Sequence, residues 1–435
     1  MRRHAACRLV TVLMGAASIT VGATGLDPYG VAPAPGVHGP ASAAASEAGT
    51  QFRDGLQALQ KGDLDTATRH FEAAARAAPT DPDPLLALAE VAIRRGHMDA
   101  AEAHVNQAMK VAPRSALPFG ASAYLLERKK DYAGALAALD RAIELQATSG
   151  LQDRRGDIYA TRLNDPERAM TAYRAALALN DNDAHAHYGV GVLLARKRSF
   201  AEAGSELRRA TELAPGNAQT WVALGGARAG LGDSPGALSA YDEALKIHPG
   251  LPAALTARSN VLMAQGHTDQ AIAGLEQALR TDPRSTATLV SLGMAEQKAK
   301  RLAEAEKHYR AALELEPQQP VASNNLAFML ADARRDLDEA LRLATIAVER
   351  APASSDSAQD TLAWVRRARG ELQAAAKILE PVAARTTDPS VMYHLGVVYA
   401  EMGRKQDAVV AFDKALKLAP GYQPAHDARR TLAGG

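Results

Sequence analysis

The 435-residue chain has one cysteine, Cys7, and only 4% aromatic residues. With its sole thiol near the N-terminus, the body of the chain has no disulfide framework, no thiolate metal cluster and no thiol nucleophile. Scarce aromatics amid abundant alanine disfavour strands and suit helices whose small side chains let backbones approach. An excess of one charge is missing too, since 50 Lys+Arg stand against 49 Asp+Glu. No bulk field draws a polyanion, so any electrostatic function must be local. The metalloprotease HExxH, the G-x-S-x-G nucleophile turn and the phosphate-binding P-loop do not occur in the sequence. No catalytic constellation, cofactor motif or metal-ligand spacing replaces them, and the chain reads as non-enzymatic.

Long apolar runs are confined to the start. Arg2, Arg3 and Arg8 precede the uncharged stretch LVTVLMGAASITVGA, and Val21-Gly22-Ala23 offers small residues for cleavage. Residues 1–23 therefore read as a secretory signal. An uncleaved inner-membrane anchor is the alternative, but the stretch is short against the ~20 apolar residues that a bilayer needs. Residues 24–47, rich in Pro, Gly and Ala, read as a disordered linker. The expected location is periplasmic or exported.

What is present is a repeat. Ala67, Ala101, Ala135, Ala169, Ala203, Ala237, Ala271 and Ala305 follow one another at 34-residue intervals. One-residue slips carry the series on to Ala340, Ala375 and Ala408, which makes eleven units within residues 48–421. Twelve residues before each alanine, or thirteen before Ala340, stands a second small residue, from Gly55 to Gly396, with Asp157 the one misfit. A Gly-Asp or similar break divides each unit, and a proline commonly closes it, so each unit reads as helix, turn, helix, stop.

In unit six the pattern stands as Trp221, Leu224, Gly225, Gly232, Ala237, Tyr241, Ala244 and Pro249, which resembles the tetratricopeptide repeat residue for residue. The resemblance covers nearly all of residues 48–421. It implies an all-α fold, a right-handed α-solenoid of about eleven helix-turn-helix repeats, one array in place of three independent domains. Residues 422–435 are expected to form a short C-terminal cap.

The stretch DAHAHYGVG, residues 183–191, imitates a site with two histidines, a tyrosine and a Gly-x-Gly. Two residues apart on a helix, His185 and His187 point about 200° from each other and cannot clamp one metal. Gly191 occupies the small crossing position of its unit, and no strand precedes the Gly-x-Gly, so packing explains the stretch better than a dinucleotide loop.

The resemblance implies that first helices line a ligand groove. Near their ends stand Arg94, Arg128, Arg162 and Arg196 at repeat spacing, with Arg155 also facing inward. A ladder of guanidinium forks suits an acidic or extended protein segment, or an anionic polysaccharide. The alternative is a cation at each helix C-terminus, worth roughly 0.3 to 1 kcal/mol without any ligand. In units nine to eleven the same positions hold Asn324, Asn325 and Phe328, then Asp360 and Trp364, then Tyr393 and His394. These read as a polar and aromatic groove wall or, for Phe328 and Trp364, as packed core, the reading that helical spacing favours.

Neither the carboxylate clamp of chaperone-binding tetratricopeptide domains nor the asparagine ladder of O-linked N-acetylglucosamine transferases is matched. NNLAFMLAD, DTLAWV and YHLGVVYAEMGR resemble closing repeats of bacterial envelope tetratricopeptide proteins, some of which serve exopolysaccharide export. That resemblance implies a scaffold that binds a partner protein in an envelope assembly or export machine. Direct binding of an anionic glycan, and an adaptor role in pilus or secretion assembly, are the alternatives. No nucleic-acid partner is expected, and membrane contact is expected only through the N-terminal segment.

Overall fold

The computed structural model describes residues 43–352 and 355–434. The expected signal segment and residues 24–42 of the expected linker lie outside them. Among the described residues are twenty-three α-helices and no strand. The chain divides into two compact units, one ending at Ile247 and one beginning at His248. The unbroken sequence repeat gives no sign of that division.

The N-terminal unit contains α1 (Ala43–Gln60), α2 (Leu64–Ala77), α3 (Asp83–Arg94), α4 (Met98–Val111), α5 (Ala116–Arg128) and α6 (Tyr132–Leu145). It continues through α7 (Ser149–Asp157), α8 (Pro166–Leu179), α9 (Ala184–Arg196), α10 (Phe200–Leu213), α11 (Ala218–Gly230) and α12 (Ser234–Ile247). The C-terminal unit begins with α13 (Pro252–Gln265), α14 (Thr268–Thr281), α15 (Thr286–Lys298), α16 (Leu302–Leu315), α17 (Pro320–Asp332) and α18 (Leu337–Arg350). It ends with α19 (Asp356–Ala368), α20 (Leu372–Ala383), α21 (Pro389–Glu401), α22 (Lys405–Leu418) and α23 (Gln423–Gly434). Helix α1 starts inside the segment expected to be linker, because the alanine-rich AAASEA favours helix over coil.

Local chemistry sets the boundaries. Asp131, Asp165, Asp183 and Asn217 each accept from backbone N–H groups at the start of the helix that follows, a cap worth ~1 kcal/mol. Inside each pair the chain turns through one left-handed residue, except between α17 and α18, where Arg334 and Asp336 both adopt it. Gly62, Gly96, Gly232 and Gly266 hold that place at φ 78°, 79°, 80° and 91°, and Lys130, Arg198 and Lys300 hold it at φ 63°, 65° and 61°.

The two helices of a pair cross by volume matching. Gly55 faces Phe71, Gly225 faces Tyr241, Gly293 faces Tyr309 and Gly396 faces Phe412; a Cβ on these glycines would come within 2.4–2.7 Å of the ring. Where the second helix offers an aliphatic residue instead, as at Leu139 and Leu343, the first offers Ala123 and Ala327, and all four are fully or almost fully buried. In these pairs a larger residue on one helix is met by a smaller one on the other, as close packing requires, whereas at Gly191 the glycine faces Leu207 and the backbones come closer still.

Unit four departs from the template and explains the misfit at Asp157. Its preceding loop has three residues, 146–148, where the loops 112–115, 180–183 and 214–217 have four. The first helix recovers the missing residue through a π turn at Ile158–Arg162. Residues before that turn are displaced by one place, so the small crossing residue is Gly156, against Tyr173, and Asp157 is freed for another role.

Each unit is an α-solenoid stack in which every pair packs on its sequence neighbours. Successive first helices (α7, α9, α11 in one unit; α13 to α21, odd-numbered, in the other) approach each other more closely than successive second helices do. The first helices therefore lie on the more tightly curved side of each stack.

Candidate functional site

In the N-terminal unit the arginine row is at the surface. Arg94, Arg128, Arg162 and Arg196 are all exposed at the ends of first helices. Arg94 Nε donates to Glu90 at 2.8 Å and Nη1 donates to the Leu59 carbonyl of α1 at 3.4 Å. Arg128 donates to the Tyr124 hydroxyl at 3.3 Å. Arg162 Nη2 lies 3.8 Å from Glu127, and Arg196 donates to Asn164 Oδ1 at 3.3 Å. The partners of Arg128 and Arg196 are neutral, so those two guanidinium charges are not cancelled locally. Exposed pairs such as Arg94–Glu90 contribute little stability, ~0 to 1 kcal/mol.

Arg155 is not in the row. The one-residue displacement of unit four turns it toward α6, where Nη1 donates to Asp140 at 3.2 Å. The inward placement read from the repeat register is corrected by the π turn. The two histidines of DAHAHYGVG have separate protein partners. His187 bonds Glu206 at 2.6 Å, and His185 Nε2 donates to Asp157 at 2.9 Å. Among the described residues no group of three His, Cys, Asp or Glu side chains is placed to hold a metal ion. No described helix is long and apolar enough to cross a membrane.

A second series of cations escaped the sequence reading. Arg95 pairs with Asp65 at 2.5 Å, Lys129 with Glu102 and Lys197 with Glu167 at 2.7 Å. In the C-terminal unit Arg301 pairs with Asp269, Arg335 with Glu306 and Arg369 with Asp338. Each cation stands just after a first helix and reaches an acid near the start of the preceding second helix. The signal was available as a basic residue about thirty places after an acid, one row over from the arginines that drew attention.

In the C-terminal unit the structure brings most of the second set together. Phe328 of α17 stacks on Trp364 of α19 with centroids 6.3 Å apart at 15°. Trp364 lies 4.1 Å from His394 of α21, and Tyr393 lies 5.5 Å from His394. His394 Nδ1 is 2.8 Å from Asp360. Arg367 places its guanidinium 4.2 Å over the Trp364 ring. Asp360, Trp364 and His394 are 6–7% exposed. They build the wall from beneath, whereas Asn324, Asn325, Phe328 and Tyr393 are half-buried and form its surface. Asn324 donates to Asn325, and Asn325 donates to the Tyr309 hydroxyl at 3.1 Å. Burial raises the Tyr393 phenol above its usual range and pushes that of Tyr422, 5.8 Å away, up to about 12. Both stay neutral, so this wall is aromatic and amide in character.

With helix pairs, crossing positions and exposed first-helix rows in place, known proteins were compared. Sequence models of the tetratricopeptide repeat match residues 58–123, then 158–218, 205–252 and 256–320, then 389–422, together more than half of the chain. The chain belongs to the tetratricopeptide-repeat family. No curated protein matches it. Among solved structures, the APC/C hetero-tetramer Cut9–Hcn1 is similar at 16% identity, covering 89% of this chain and 97% of that one, with a TM-score of 0.47. PilF of Pseudomonas aeruginosa is similar at 20% identity over 49% of this chain and 97% of that one, TM-score 0.44. YrrB, described as a TPR protein with an unusual peptide-binding site, is similar at 24% identity over 43% of this chain and 97% of that one, TM-score 0.36. As a tetratricopeptide-repeat protein the chain has a scaffold fold consistent with protein–protein interaction.

Proposed function

We propose that this chain is an exported, non-enzymatic scaffold of the bacterial cell envelope that seats a partner protein on the first-helix side of its repeats, in an envelope assembly or polysaccharide-export machine. The observation that carries this reading is the exposed arginine row, in which Arg128 and Arg196 bond only neutral partners. Uncancelled guanidinium forks at regular spacing complement an acidic, extended segment of a protein. The basic and apolar character of residues 1–23 supports export. Protein is favoured over glycan because a sugar ring stacks on an open aromatic face. Trp364 offers none, lying between Arg367 and His394.

Reversing the row in one variant (Arg128→Glu, Arg162→Glu, Arg196→Glu) tests this. All three are exposed, so the folded state should change little. Capture of the partner from envelope extract should fall by about tenfold or more, and capture by wild type should weaken with salt. Wild-type capture by the folded variant contradicts the proposal. Retention of an anionic polysaccharide by wild type in place of protein moves glycan binding to the front.

A further inference from the structure

The contact between units four and five holds ionisable groups that the partner-binding reading does not use. Asp153 and Asp157 stand one turn apart on α7. From α8, the Tyr173 hydroxyl donates to Asp157 Oδ1 at 2.6 Å. From α9, His185 Nε2 donates to the same carboxylate, 2.9 and 3.1 Å from its two oxygens. Asp183 caps α9 through the backbone N–H groups of His185 and Ala186, and its carboxylate faces Asp153. Tyr188 of α9 also faces Asp157. Of the neighbouring arginines, Arg154 pairs with Glu127 of α5 and Arg155 with Asp140 of α6.

Three carboxylates thus share one imidazole, with the side chains of His185 and Asp157 still 37% and 21% exposed. Asp153 is 8% exposed and its Oδ1 has no hydrogen-bond partner. The π turn follows directly at Ile158–Arg162, the only π segment among the described residues, so the helix bearing both acids already departs from regular α geometry beside the cluster.

We infer that the contact between α7 and α9 is a proton-held joint, closed while Asp153 and His185 keep their protons and loosened when they lose them. A protonated Asp153 can donate to Asp183 where two carboxylates would repel. A protonated His185 neutralises Asp157. Burial, with Asp183 and Asp157 nearby, pushes Asp153 up to about 8 despite the opposing effect of His185. Burial alone would lower His185, but the hydrogen bond and charge of Asp157, with Asp153 and Asp183, carry it up to about 9. Both groups bind their proton more tightly folded than unfolded. The stability they contribute is therefore present at low pH and lost as pH rises, from 3.8 toward about 8 for Asp153 and from 6.5 toward about 9 for His185.

Hydrogen exchange on the full chain tests the joint. After correction for intrinsic base catalysis, protection of residues 149–196 relative to residues 83–111 should fall by about tenfold or more between about pH 5.5 and 9.5. Asp153→Asn should show a smaller fall, because its amide donates to Asp183 at every pH. An unchanged ratio in wild type, or the full wild-type fall in the variant, overturns the inference. Should the variant not fold, carbon-labelled histidine in wild type supplies the reading. A His185 midpoint near 9 is expected, and one near the ordinary ~6.5 overturns the joint.

Discussion

Replacing His394 by alanine should destabilise the C-terminal unit by about 3–5 kcal/mol. His394 Nδ1 sits 2.8 and 2.9 Å from the two oxygens of Asp360, both residues are buried, and the imidazole lies 4.1 Å from Trp364. Alanine removes the partner and leaves a carboxylate inside the packing, where an unpaired charge costs far more than a lost contact. Filling the space with apolar groups, as in Asp360→Leu with His394→Phe, should recover all but about 1–2 kcal/mol. Trp221 and Trp364 are the only tryptophans in the chain. In a Trp221→Phe background, urea denaturation followed by fluorescence therefore reports the C-terminal unit alone. A cost below about 1 kcal/mol for the single change shows that the pair is not held as described.

The second prediction concerns Gly225 and Tyr241. A Cβ at Gly225 would lie 2.4 Å from Tyr241 Cε1, and the ring is only 3% exposed. Gly225→Ala should therefore cost about 1–2 kcal/mol even after the gain in helix propensity. Tyr241→Leu opens a cavity and should cost about 1–3 kcal/mol. Together they recreate the Ala–Leu match found at Ala123–Leu139 and Ala327–Leu343. The double variant should return to within about 1 kcal/mol of wild type, a coupling of about 2 kcal/mol. Additive losses in a double-mutant cycle would show that the two positions are set independently.

Much of the fold was legible because a solenoid writes its geometry once per repeat. Alanine at the helix crossings and a left-handed break in mid-pair recur with the period of the structure itself, so helix pairing followed from spacing alone. Three features did not follow. The π turn of unit four leaves the repeat length unchanged, since a shortened loop cancels a lengthened helix. Only the misfit of Asp157 marked it, and the placement of Arg155 failed for that reason. The volume match between glycine and aromatic was visible in principle, but it required reading two positions sixteen residues apart as a pair. Core packing of Trp364 was the reading that spacing favoured, but the burial of Asp360 and His394 beside it depended on which side chains cover which, a property of neighbours in space. The arginine row was legible as exposed charge; its hydrogen-bond partners, which decide how much charge remains free, were not.

The central claim is that a partner protein sits on the first-helix side. Photo-crosslinking in the native host tests it most directly, with the reactive residue at Arg128 on α5 and, as a control, at Arg209 on the second helix α10, whose side chain is 43% exposed. One discrete protein adduct at position 128 and none at position 209 is the expected result. Adducts at 209 alone, or none at 128 from a folded, exported chain, contradict it.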